Sequence, residues 1–94
     1  MARITKNDVR RVWDLYITEA KASGFDTTDW TLRMGSPSYG VPFEGHIGEG
    51  RAVPGAIGEG FSSGYLGVTA GDAYNALRFI TETMRTVRLL HNPE

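Results

Sequence analysis

The first residues to examine for catalysis are serine, histidine and the acids, and Gly60-Phe61-Ser62-Ser63-Gly64 has the G-x-S-x-G form of a nucleophile elbow. Ser62, Asp72 and His91 even follow the chain order of an α/β-hydrolase triad. The spacing opposes that chemistry. Asp72 and His91 fall on what reads as one helix, roughly 28 Å apart at 1.5 Å per residue, whereas the acid of a triad must hydrogen-bond the histidine. An elbow also needs a strand before the serine and a helix after it, and here a glycine-rich stretch precedes it and a strand follows. No catalytic residue is assigned.

Glu44, His46 and Glu49 offer carboxylate and imidazole donors at short spacing, a set that suits zinc or manganese. The chain has only two histidines, and glycines flank His46 on both sides, so nothing in the sequence orients these donors into a fixed polyhedron. Neither a metal nor a cofactor is expected. Gly45-His46-Ile47-Gly48-Glu49-Gly50 is echoed ten residues later by Gly55-Ala56-Ile57-Gly58-Glu59-Gly60. Both have the form G-x-x-G-x-G, the reverse of the dinucleotide fingerprint, and no lysine follows to make a phosphate-binding Walker loop. Backbone N–H groups of such a stretch, with Arg51 beside them, can still form an anion nest. Glu44, Glu49 and Glu59 repel an anion, and three carboxylates against one guanidinium favour a protein partner with a basic surface. Nucleotide or anion binding by this stretch is the alternative.

Arg3, Lys6, Arg10 and Arg11 cluster near the start, as in a helix lying on nucleic acid. Asp8 and Asp14 interrupt the cluster, and residues 25–72 carry six acidic groups against two basic ones. Nucleic-acid binding is therefore a weaker alternative still.

The chain has 94 residues, ten basic and eleven acidic side chains, a formal net charge of −1 and no cysteine. These numbers describe one small domain without disulfides and without a net field to attract nucleic acid or anionic lipid. The first residues lack the apolar core of a signal peptide, and no apolar run reaches membrane-spanning length, so a cytoplasmic protein with no membrane partner is expected. A chain of this size buries only about 60–65% of the surface that its unfolded form exposes, and self-association is one way to enlarge its core.

Two helices frame the chain. Thr5 with Asp8 has the cap-plus-acid pattern of a helix start, and Val9, Val12, Trp13, Tyr16 and Ala20 recur at spacings of three and four, giving an amphipathic helix over about 6–23 that ends at Ser23-Gly24-Phe25. Thr69 with Asp72 repeats the start signal, and Ala73, Leu77, Ile80, Met84 and Val87 form a heptad-like seam on a second helix over about 70–91, with Phe79 and Leu90 off the seam. A helix that long carries more apolar surface than a short sheet can cover. Its partner is either the first helix or the same helix of a second copy. Between the helices, Trp30, Leu32 and Met34 alternate with Thr31 and Arg33 in a strand over about 29–34, and Gly35 to Gly40 makes a turn. A second strand is expected over about 39–43, confined by Pro42 to an edge or a short pairing, and a third over about 64–68. Seven of the twelve glycines fall between Gly45 and Gly64, so the stretch 44–63 reads as a mobile or partner-ordered glycine-rich arm.

At Leu32-Arg33-Met34-Gly35-Ser36-Pro37-Ser38-Tyr39-Gly40 and at Gly64-Tyr65-Leu66-Gly67-Val68-Thr69-Ala70-Gly71-Asp72-Ala73-Tyr74-Asn75-Ala76-Leu77 the chain resembles a group of small uncharacterised actinobacteriophage proteins. That group has a G-S-x-x-Y-G turn, a variable Gly/Pro-rich stretch and an aromatic-Leu-Gly-x-Thr segment leading into an amphipathic helix. The likeness spans roughly residues 30–90. The chain departs from the pattern after Gly40, where the group continues with an aromatic-Arg-Leu strand and Val41-Pro42-Phe43-Glu44-Gly45 stands here. The resemblance implies a phage accessory protein acting in the host bacterial cytoplasm and brings no activity with it.

Together these readings give an α+β domain: an N-terminal helix, a short antiparallel sheet with a glycine-rich loop, and a long C-terminal helix. It is expected to work by protein association rather than catalysis, as a homodimer through Leu77, Ile80, Met84 and Val87, with a host protein as the other candidate partner. Tyr39, His46, Glu49, Arg51, Glu59 and Tyr65 are the candidate contact residues for a partner or ligand. Tyr39 and Tyr65 are expected to pack near the hairpin with their hydroxyls bonded.

Overall fold

The computed structural model describes residues 3–48, 51–54 and 64–91. Helix α1 covers Lys6–Ala22. Strands β1 (Trp30–Arg33), β2 (Phe43–Ile47), β3 (Arg51–Ala52) and β4 (Tyr65–Gly67) follow, and α2 (Ala70–His91) closes the chain. The fold is the expected α+β arrangement. Both helix starts form as the sequence indicates. The Thr5 Oγ1 accepts from the Asp8 N–H at 3.3 Å while the Asp8 carboxylate accepts from the Thr5 N–H at 2.9 Å, and the Thr69 Oγ1 accepts from the Asp72 N–H at 3.1 Å. These bonds satisfy N–H groups that the first turn leaves without a helical partner.

The second strand differs from expectation. Residues 37–39 form a single 3₁₀ turn, Ser36 and Val41 make an isolated bridge, and the strand begins after Pro42, at Phe43. Gly40 takes φ +70°, which turns the chain, and Pro42 has no N–H to donate, so regular pairing starts only beyond it. The strand that results is central and not an edge. It pairs antiparallel with β1 along one side, with Trp30 opposite Ile47 and Arg33 opposite Glu44. The other side of β2 is shared by two short strands, β3 at the His46–Ile47 end and β4 at the Phe43–Glu44 end. Thus Glu44, Gly45, His46 and Ile47 belong to the sheet and not to an arm. Residues 55–63 of the expected arm lie outside the described residues.

Gly45 sits where β3 and β4 meet. Its N–H donates to the Gly64 carbonyl at 2.8 Å, and its carbonyl accepts from the Val53 N–H at 3.3 Å. A Cβ on Gly45 would stand 3.0 Å from both Trp13 and Val53, so the bare backbone is what lets α1 lie this close to the strand. Gly64 has φ +81°, and a Cβ there would come within 2.0 Å of the Gly45 oxygen.

The core lies between the helices and one sheet face. Val9, Val12, Trp13, Tyr16 and Ala20 from α1 meet Trp30, Phe43, Val53 and Leu66, and α2 adds Ala73, Leu77 and Ile80. Trp13, Tyr16, Trp30 and Phe25 form a chain of tilted ring contacts with centroids 5.4–5.7 Å apart. Tyr16 is fully buried, and its hydroxyl donates to the Pro54 carbonyl at 2.7 Å, which fastens the segment after β3 to α1. The two helices run in the same direction, since Asp8 borders the same cleft as Tyr74 and Arg78 while Glu19 pairs with Arg85 and Arg88.

Burial pushes the Tyr16 hydroxyl far above its ordinary ionisation range. Because the unfolded chain releases this proton near pH 10 and the folded chain retains it, the stability that Tyr16 contributes is complete below about pH 10 and is lost as pH rises further. Tyr16→Phe is expected to flatten that alkaline decline and to cost about 1 kcal/mol at neutral pH, where the bond to Pro54 is removed. Urea unfolding from pH 7 to 11 measures both; an unchanged alkaline slope would exclude Tyr16 as its source. Gly64→Ala is expected to destabilise by more than about 1 kcal/mol, because a left-handed backbone and a steric clash are combined at one position. Thermal melting against Gly71→Ala, at a position with no close neighbour, isolates this effect.

Candidate functional site

Alternation along β2 places Phe43, Gly45 and Ile47 toward the helices and Glu44 and His46 on the opposite sheet face. Cross-strand partners share a face, so Arg33 and Thr31 from β1 and Tyr65 from β4 join them there. Glu44 is 4% exposed, unusual for a carboxylate on the face away from the helices, and its Oε1 lies 2.8 Å from the His46 Nε2 and 3.5 Å from the Arg33 guanidinium. A carboxylate only accepts, so the His46 Nε2 carries the proton of this bond. The Nδ1 of His46 is buried with no hydrogen-bond partner among the described residues. Glu44 and His46 are thus brought together, while the third donor of the expected set, Glu49, lies outside the described residues. Among the described residues no group of three His, Asp or Glu side chains is placed to hold a metal ion.

The other sequence candidates are dispersed. Tyr39 lies on the 3₁₀ turn and is 85% exposed, so it does not pack on the hairpin; the turn displaces it from the strand it was expected to start. Tyr65 is half-buried beside Glu44 on the sheet and has a bonded or ring partner. Arg51 is exposed on β3. Ser62 and Glu59 lie outside the described residues. Asp72 and His91 stand at opposite ends of the continuous helix α2, which separates these two members of the serine-triad order.

The seam of α2 divides. Leu77 and Ile80 are buried in the chain's own core, Met84 packs partly against it, and Val87 is 48% exposed. Beside the outer part of this seam runs an apolar groove of about 510 Å³ between the carboxyl ends of α1 and α2, with Phe25, Pro54, Phe79, Met84 and Val87 along its walls. Phe79 is 73% exposed and Leu90 74%, on the same flank of the helix as Val87. Ser23 and Arg88 also line the groove, and the Ser23 Oγ is buried without a hydrogen-bond partner among the described residues. Ser23 is there because it caps the end of α1, where its N–H returns to the carbonyls of the last turn.

Arg88 is held by Glu19, a buried acid on α1. The Arg88 Nε donates to the Glu19 Oε2 at 2.5 Å, and the Arg85 guanidinium stands 3.7 Å from Oε1. The bond to Glu19 keeps the Arg88 guanidinium more firmly protonated than an ordinary arginine. Sequence reasoning missed this pair; Glu82, which stands three residues before Arg85 on α2, bonds Arg78 at 3.2 Å. The signal was present: Glu19 follows Val12 by seven residues and Tyr16 by three, so it is a carboxylate on the apolar stripe that requires a cation from a neighbouring element.

A double-mutant cycle of Glu44→Ala and His46→Ala, measured by urea unfolding, is expected to show a coupling of about 1–2 kcal/mol, because His46→Ala leaves the buried Glu44 with the longer Arg33 contact and Glu44→Ala removes the acceptor of the His46 ring. Strict additivity would show that this bond does not contribute to the fold. Comparison of the chain with protein-family models, with curated proteins and with solved structures finds no match.

Proposed function

We propose that this is a small phage accessory protein that works by protein association in the host cytoplasm, without catalysis, and that it associates first with a second copy of itself. The observation that carries the reading is the outer flank of α2. Phe79, Thr83, Val87 and Leu90 recur at intervals of four, four and three, which places them along one flank of a helix. Its three apolar members are all substantially exposed. A flank of this kind beside a groove fits the helix-in-groove mode of recognition. The phage origin is supported by the two motifs at residues 32–40 and 64–77. Among the described residues no helix is long and apolar enough to cross a membrane.

The association surface differs in detail from the seam first drawn. Leu77 and Ile80 serve the chain's own core, so a second copy meets Val87 together with Phe79 and Leu90, while Met84 sits at the boundary. The alternative of anion binding by the glycine-rich stretch is supported by Arg51, which is exposed on β3.

Light scattering from about 1 to 200 μM is expected to approach twice the chain mass of 10.3 kDa as concentration rises. Phe79→Glu is expected to hold the chain at one mass across the same range with melting little changed, because it places a charge where an association surface would bury it. A wild-type mass that stays at one chain throughout would refute self-association.

A further inference from the structure

We infer that the groove at the carboxyl ends of α1 and α2 binds a single-chain anionic amphiphile: a carboxylate carrying an apolar chain. This goes beyond the association reading. It shares Phe79 and Val87 with that surface but stands on separate observations. The walls are apolar, and Arg88 is the one charged side chain among the described lining residues. Arg88 spends its Nε on Glu19, and no bond of its two terminal nitrogens is found among the described residues. A guanidinium held in this way presents its remaining N–H fork to a second carboxylate, the geometry that planar bidentate recognition uses.

The second observation is Ser23. Its hydroxyl is buried at the groove without a partner among the described residues, although a buried hydroxyl ordinarily finds one. A carboxylate at Arg88 supplies an acceptor at this end of the groove. A volume of about 510 Å³ lies within the range of small-molecule sites. The occupant is therefore oriented, with its head at Arg88 and Ser23 and its tail along the apolar wall that includes Phe79.

The test titrates decanoate, decanol and decyltrimethylammonium, all below their micellar concentrations, into the full chain by calorimetry. Tryptophan fluorescence is followed in parallel, since Phe25 in the groove packs against Trp30 at 5.6 Å. Saturable binding of one decanoate per chain is expected, at least tenfold tighter than decanol, with the cationic probe weakest. Arg88→Gln should erase the preference for decanoate over decanol. Phe79→Asp leaves the Arg88–Glu19 contact in place and should weaken decanoate and decanol together, which keeps the test decisive if the Arg88 variant unfolds. The inference is overturned by the absence of saturable binding, by equal affinity for the three probes, or by undiminished affinity in Phe79→Asp. Light scattering on the same samples separates the two readings. A chain that stays monomeric yet binds decanoate removes self-association alone, and one that dimerises without binding it removes this site alone.

Discussion

The close approach of Trp13 to Gly45 organises the molecule. Gly45 lies at the centre of β2, where β3 and β4 come together on one side, and its missing side chain lets the Trp13 ring rest against the strand backbone. If the strand stood further off, the ring sequence Trp13–Tyr16–Trp30–Phe25 would lose its support on the sheet. The hydroxyl of Tyr16 would then be too far from Pro54. A single absent Cβ thus couples the N-terminal helix, the central strand and the segment leaving β3.

The helices depend on a different kind of contact. Their apolar faces meet through Val9, Val12 and Ala20 on α1 and Ala73, Leu77 and Ile80 on α2, but such packing is not directional and does not by itself fix the axial position of one helix along the other. Glu19 with Arg88 and Arg85 supplies that restriction. A buried carboxylate without a cation is costly, so the end of α1 is held level with the fifth and sixth turns of α2. The same clamp leaves the Phe79–Leu90 flank of α2 exposed, with a groove between the helix ends. In this way a structural ion pair creates the surface on which the functional proposals rest.

The two faces of the sheet carry different chemistry. The face toward the helices is apolar, whereas Arg33, Glu44 and His46 form a polar cluster on the other, with Glu44 nearly excluded from solvent. One residue of register separates these sets, since Glu44 and Gly45 are neighbours on opposite faces. The bulge between Phe43 and Glu44 adjusts the pairing with β4 at this point. The carboxylate at the start of β2 is therefore a feature of the sheet, although its neighbours in sequence are rich in glycine.

Local chemistry was sufficient to specify both helices. Thr5 with Asp8, and Thr69 with Asp72, satisfy the first N–H groups of a helix through residues three apart, and the apolar spacings of α1 and α2 repeat over several turns, so these signals are complete within a short stretch of chain. The α+β class and the strand at Trp30–Arg33 were legible for the same reason. The position of β2 was not. Glycine at 45 and 48 reads as a mobile segment when only conformational entropy is considered, and its role as a place for close approach exists only once Trp13, remote in sequence, lies above it. Nor could the seam at Leu77–Val87 be divided between the chain's own core and its surface, because periodicity reports which residues share a face and not how far the neighbouring helix extends along it. Likewise the stripe position of Glu19 announces a need for a cation, but only the parallel placement of the helices chooses Arg88 over Arg78. Contacts that close within a turn of helix are determined by sequence, whereas those that depend on the meeting of distant elements are decided by the packed structure, where excluded volume and charge burial act together.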